Sequence, residues 1–185
     1  MIETHRYTLV QRLLHWLIAL LLAVVLAVGM TLGFLGFDGT KAAFGGEVTN
    51  ALYTYHKTFG VIILALMLLR LGVRLVAGAP PYRPALTGFE RMASRAVHSL
   101  LYLALLAMPV LGWLGTAAGG YPVQFFGWTL PGLIGKDKAL GETLFYLHGL
   151  VGWVILGLLI LHIGGAMRHW LVKRDGVMAR MSLFP

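Results

Sequence analysis

The stretch HGLVGWVILGLLILH, residues 148–162, is an apolar run closed at each end by a histidine. The two imidazoles lie fourteen residues apart. On an α-helix that is roughly 21 Å along the axis, and fourteen steps of about 100° bring the second ring back to nearly the same face. The run therefore predicts a membrane-spanning helix with two functional heights on one face.

The rest of the chain agrees with that reading. Its 185 residues are 58% hydrophobic and 12% charged, with a mean hydropathy of +0.80, outside the range of ordinary soluble domains. Four stretches are long enough to cross a hydrocarbon core of about 30 Å: Leu9 to Phe34, Ala51 to Val76, Val97 to Ala117 and Thr143 to Leu171. The expected fold is all-α, one four-transmembrane-helix bundle filling residues 1–185 as a single integral membrane domain. The first stretch exceeds the apolar length of a secretory signal and contains His15 and Trp16, so it is expected to stay as the first span.

Charge predicts the orientation. Arg6, Arg12, Arg70, Arg74, Arg83, Arg91, Arg95, Arg168, Lys173, Arg174 and Arg180 group on one side of the spans. The other side carries Lys41, Lys57, Lys136 and Lys138, balanced by Asp38, Glu47, Asp137 and Glu142. By the positive-inside rule both termini and the loop from Ala77 to Ser94 are expected in the cytoplasm. The net charge of +8 then belongs to one membrane face, where anionic lipid headgroups explain it and no nucleic acid is expected.

The chain has no cysteine, which excludes disulfides, thiolate-held iron–sulfur clusters and covalent haem attachment. Metal chemistry must use histidine, methionine or carboxylate. The outer connections are expected as a short glycine-rich loop, Gly36 to Asn50, and a longer one, Ala118 to Glu142, whose GGYPVQFFGWTLPG reads as an interfacial cap or short re-entrant segment.

Seven histidines occur, and His15, His56, His98, His148 and His162 fall within the spans. A lone intramembrane histidine is most often a core residue bonded to a neighbouring helix. Depth distinguishes these. Because the helices alternate direction, His56 and His148 lie level, about one turn from the outer ends of the second and fourth spans. His15 and His162 lie level about two turns from the inner ends of the first and fourth, and His98 on the third span has a similar depth. Facing neutral imidazoles without cysteine or an intramembrane carboxylate suit bis-histidine ligation of b-type haem better than zinc or di-iron, and two levels imply two haems. Periodicity leaves His15 and His98 as alternative partners of His162. HKTFG and HGLVG place a glycine four residues after His56 and His148, leaving room for a flat macrocycle or, more plainly, for a close helix crossing.

At these residues the chain resembles the prokaryotic cytochrome b561 family. The resemblance is carried by QRLLHWL, by YHKTFG with Arg70 and Arg74 closing the second span, by HSLLYLALLAMPVLGW and PVQFFGWTLP, by the paired histidines of the fourth span, and by RDGVMARM. It covers nearly the whole chain. It implies a four-helix bundle with two haem b groups in the bacterial inner membrane, His15 and His162 ligating the cytoplasmic-side iron, His56 and His148 the periplasmic-side iron.

Members of this branch pass electrons from periplasmic superoxide to ubiquinone; related haem subunits anchor a dehydrogenase or hydrogenase. The resemblance therefore implies a superoxide:ubiquinone oxidoreductase, with an electron-transfer subunit docked to a dehydrogenase or periplasmic redox partner as the alternative. A redox-silent bundle or proton-linked transporter is the reading from outside electron transfer. Lys57, Lys136 and Lys138 are candidates to steer superoxide, against the plainer reading of solvated lysines offset by nearby acids. His169, about two turns beyond His162, and Arg83 are candidate quinone contacts. Arg70, Arg74 and His98 are candidate partners of haem propionates, with positive-inside anchoring as the plainer role of the two arginines.

Overall fold

The computed structural model describes residues 6–82 and 85–184. Four long helices dominate it: α1 (Leu9–Phe44), α2 (Gly46–Ala77), α3 (Gly88–Ala118) and α4 (Lys138–Met167). All four are long and apolar enough to cross a membrane. α2, α3 and α4 begin five to nine residues before their predicted apolar stretches and α1 runs ten residues past its own, and side-chain caps fix the starts of α1, α3 and α4. Thr8 with Gln11 and Thr87 with Glu90 form capping boxes, and the Asp137 carboxylate accepts from the Leu140 N–H at 3.1 Å.

Two expectations for the outer connections change. The segment 36–50 is helical almost throughout, broken by corners at Gly36 (φ 64°) and Gly45 (φ 81°), where only glycine turns the chain without strain. The segment 119–132, expected as an interfacial cap or short re-entrant segment, takes extended rather than helical form. It forms an antiparallel hairpin, β1 (Val123–Phe125) with β2 (Trp128–Leu130), pairing Val123 with Leu130 and Phe125 with Trp128. Alternating β-branched and aromatic residues around Phe126–Gly127 explain the choice.

α1 packs on α2, α2 on α3 and α3 on α4. Contacts between Gln11 and Gly78 and between Gly29 and His56 show α1 and α2 antiparallel. The pairs Gly115–Phe145, Gly112–His148 and His98–His162 show the same for α3 and α4. A core of Ile18, Leu22, Ile63, Met67, Ala104, Leu105 and Ile155 fills the middle of the bundle. In each helix it lies between the two histidine levels. Many other leucines and valines, such as Leu20, Val24, Leu69 and Leu103, are exposed, as lipid-facing positions require.

The end bearing the termini is closed differently. α4 passes into a widened π-helical turn, Arg168–Lys173, and Arg174 adopts a left-handed conformation (φ 51°). The chain then folds across the start of α1. There the Tyr7 N–H donates to the Arg180 carbonyl at 3.1 Å, Arg12 to the Ser182 carbonyl at 2.6 Å and the Trp16 indole to the Met181 carbonyl at 2.8 Å.

Candidate functional site

Near the hairpin end, the His56 ring of α2 faces the His148 ring of α4 with centroids 6.0 Å apart and planes at 80°. Near the basic end, the His15 ring of α1 faces His162 of α4, also at 6.0 Å, with planes at 76°. The paired levels expected from helix periodicity thus meet in space. His98 is brought to the same place, 5.0 Å from His162.

These distances can be compared with what a shared ion needs. A metal–imidazole bond is about 2 Å and the ring centre lies about 1.1 Å beyond the nitrogen, so two imidazoles facing each other across one ion would have centres about 6.2 Å apart. The His56–His148 and His15–His162 pairs fit that spacing; His98–His162 is about 1 Å too close. His98 Nδ1 lies 2.6 Å from the Ser94 carbonyl on its own helix, a contact that leaves its Nε2 free.

The surroundings are specific at the hairpin end. His148 Nδ1 lies 2.9 Å from the Met108 carbonyl, a bond that fixes the ring and leaves Nε2 free to bind a ligand. A Cβ on Gly112 would lie 2.9 Å from His148 Cε1, and one on Gly29 would lie 2.7 Å from His56 Cε1. Both rings are therefore held in slots that only glycine opens. The His56 ring is buried beside the Val25 backbone of α1, a neighbour that corresponds to Met108 for His148. Gly60, one turn beyond His56, has open space beside it, whereas a Cβ on Gly152, one turn beyond His148, would lie 3.3 Å from the Met108 methyl. Of the two glycines predicted to make room, one does and one serves the helix crossing. On this donor set and spacing, the residues fit an iron porphyrin at each level.

The hairpin seals the His56 level. Lys57 Nζ donates to the Pro122 carbonyl at 3.0 Å, Thr58 Oγ1 accepts from the Phe126 N–H at 3.1 Å, and Thr54 bonds Gln124 at 3.1 Å. Lys57 is thus tethered beside its histidine. Lys138 faces Glu142 at 3.9 Å on an exposed turn, and Lys136 lies along Gly120.

At the basic end, Arg70 donates to the Gln11 carbonyl and Arg74 to the Gly78 carbonyl, each at 3.0 Å. Arg180, buried at 6% exposure, stacks 3.8 Å from the Tyr82 ring and donates to the Pro80 carbonyl. Beside His15, whose ring meets Trp16 edge-on at 5.4 Å, an open groove of about 900 Å³ is lined by Trp16, His169, Trp170, Arg174, Met178 and Phe184. Of the two candidate quinone contacts, His169 lines this groove and Arg83 lies outside the described residues.

Gly29, Gly112, Met108 and Asp175, which bonds His169 at 2.6 Å, are the neighbours that sequence reasoning passed over. A signal existed for one group: in AMPVLG a proline interrupts an apolar span three residues before a glycine, an irregularity that a lipid-buried helix rarely carries without purpose.

Comparison with known proteins agrees with this architecture. The chain is 27% identical over 177 residues to cytochrome b561 homolog 2 of Escherichia coli, covering 95% of this chain and 90% of that one. It is 30% identical over 175 residues to cytochrome b562 of Cereibacter sphaeroides, covering 95% and 94%. With the probable superoxide oxidase CybB of Yersinia pestis it shares 24% identity over 176 residues, 95% of each. Residues 6–182 match the prokaryotic cytochrome b561 family, and the chain belongs to that family of haem b-binding membrane electron-transfer proteins.

Proposed function

We propose that this protein is a diheme superoxide:ubiquinone oxidoreductase of the bacterial inner membrane, with both termini in the cytoplasm. His56 and His148 hold one haem near the periplasmic face, and His15 and His162 hold the other near the cytoplasmic face. The observation that carries the reading is the pair of imidazole couples, both at 6.0 Å, at opposite ends of one apolar core.

When bound, the haems supply reversible one-electron chemistry at iron. The chain's own residues do the rest. Met108 and the Gly29 and Gly112 slots hold the outer imidazoles in place. Ile18, Leu22, Ile63, Met67 and Ile155 keep water and ions out of the space between the two levels. Lys57, held by Pro122 beside His56, and the exposed Lys136 and Lys138 give the outer face local positive charge for a small anion. Arg70, Arg74 and His98 stand at the inner level where propionates need partners. The groove beside Trp16 and His169 accepts the quinone. The overall reaction balances as two superoxide, one quinone and two protons giving two dioxygen and one quinol.

Resemblance to a probable superoxide oxidase supports this choice over an anchor subunit. Stopped-flow mixing of the haem-loaded protein with superoxide, with and without a short-chain ubiquinone, tests it. Rapid haem reduction followed by quinone-dependent reoxidation is expected. Haems that superoxide leaves oxidised, but that a partner dehydrogenase reduces, would instead identify an electron-transfer subunit.

A further inference from the structure

Beyond α4 the chain makes a turn that the electron path itself does not require. The π-helical stretch Arg168–Lys173 ends with the Arg174 N–H donating to the His169 carbonyl at 2.7 Å, and the left-handed Arg174 turns the chain back beneath it. Asp175 is delivered to His169, its Oδ2 lying 2.6 Å from His169 Nδ1. Its other oxygen, Oδ1, accepts from the Val177 N–H at 3.2 Å. The two side chains are 11% and 12% exposed. His169 lines the groove beside Trp16, so with Nδ1 engaged, Nε2 is the ring nitrogen left for an occupant.

Resting on the quinone reading above, we propose that Asp175 is a positioning residue that fixes His169 as the proton donor to one quinone oxygen. The logic is that of a carboxylate-oriented imidazole: Nδ1–H donated to Asp175 selects the tautomer, and the carboxylate offsets the charge when Nε2 is also protonated. Reduction of a quinone needs two electrons and two protons. The electrons arrive singly through the chain's electron-transfer path. One carbonyl oxygen takes its proton from Nε2–H of His169, breaking that N–H bond and forming an O–H bond. The other takes a proton from bulk solution relayed by water at the open side of the groove, and a second bulk proton restores Nε2–H, so two protons are taken from solution for each quinol formed.

The charged groups around the pair favour an ionised Asp175. Burial opposes ionisation, but hydrogen bonds from His169 and the Val177 N–H, with the charges of His169 and Lys173, hold the carboxyl below its ordinary value. Lys173 and Arg168 are themselves paired with Glu90 from α3, at 2.6 and 2.7 Å, and Arg174 lines the groove.

The test uses the haem-loaded protein in lipid nanodiscs, chemically reduced and then mixed with decylubiquinone over a range of concentrations. Asp175→Asn is expected to lower the saturating reoxidation rate roughly 10- to 100-fold, with the half-saturating quinone concentration little changed, and Asp175→Glu to restore part of the loss. A saturating rate equal to wild type overturns the assignment of Asp175 while leaving the quinone reading intact. A wild-type protein that decylubiquinone does not reoxidise overturns that reading, and this inference with it. Should Asp175→Asn fail to retain haem, nitrogen-15 NMR of His169 in the reduced wild type decides. A hydrogen-bonded Nδ1–H supports the proposal, and a ring protonated on Nε2 alone contradicts it.

Discussion

Two glycines do as much for the outer histidines as any polar neighbour. A Cβ on Gly29 or Gly112 would stand 2.7 or 2.9 Å from an imidazole carbon, so Gly29→Ala or Gly112→Ala must push His56 or His148 out of place. Overpacking of this kind costs about 1–3 kcal/mol. Each substitution is expected to diminish the outer-haem absorbance while sparing the inner one, whereas Gly60→Ala, with open space around it, leaves both. Equal tolerance of all three would refute the slots. Ring orientation makes a second prediction. The imidazole planes stand at 76° and 80° to each other, and with haem held between them such crossed rings would leave the iron orbitals they meet nearly equal in energy. The oxidised protein should give strongly anisotropic low-spin electron paramagnetic resonance signals, and ordinary rhombic ones would speak against crossed rings. Asp175 makes a third. With its native carboxyl held low, its contribution to stability is fully present above the ordinary value of 3.8 and disappears as pH falls through the lower native value. The difference in melting temperature between wild type and Asp175→Asn should therefore shrink on acidification below that point.

Among the elements, helix identity and the histidine levels followed from period and length alone, because a lipid-buried backbone has few alternatives to a helix. Ends and corners did not. Gly36–Asn50 reads as a loop because it is polar and glycine-rich, yet helical hydrogen bonding continues beyond Gly36, and the turns occupy only two positive-φ glycines. Gly36→Ala is expected to destabilise by about 1–2 kcal/mol through its left-handed backbone, while Gly33→Ala, helical with nothing near its Cβ, is neutral or better; thermal unfolding compares them. The hairpin was hidden for another reason. Its strands are three residues each, too short for period-two alternation to register, and α2 holds them through Thr54, Lys57 and Thr58. The neighbours of His148 depend on the register between α3 and α4, a tertiary property no single stretch encodes.

Across the whole molecule, the histidine pairs and the apolar core between them form one arrangement: two imidazole clamps separated by a dry interior, with a sealed hairpin at one end and an open groove at the other. Periodicity left the inner partner of His162 open between His15 and His98. The 6.0 Å separation of His15 from His162, against 5.0 Å for His98, favours His15 for two rings facing each other across one ion. The most direct test is the molar ratio of haem b to protein in the purified wild type and in His15→Ala, His56→Ala and His98→Ala. Two haems in the wild type and in His98→Ala, with one in each of the other variants, is the predicted result. A colourless wild type, or loss of the inner haem from His98→Ala with its retention in His15→Ala, would contradict it.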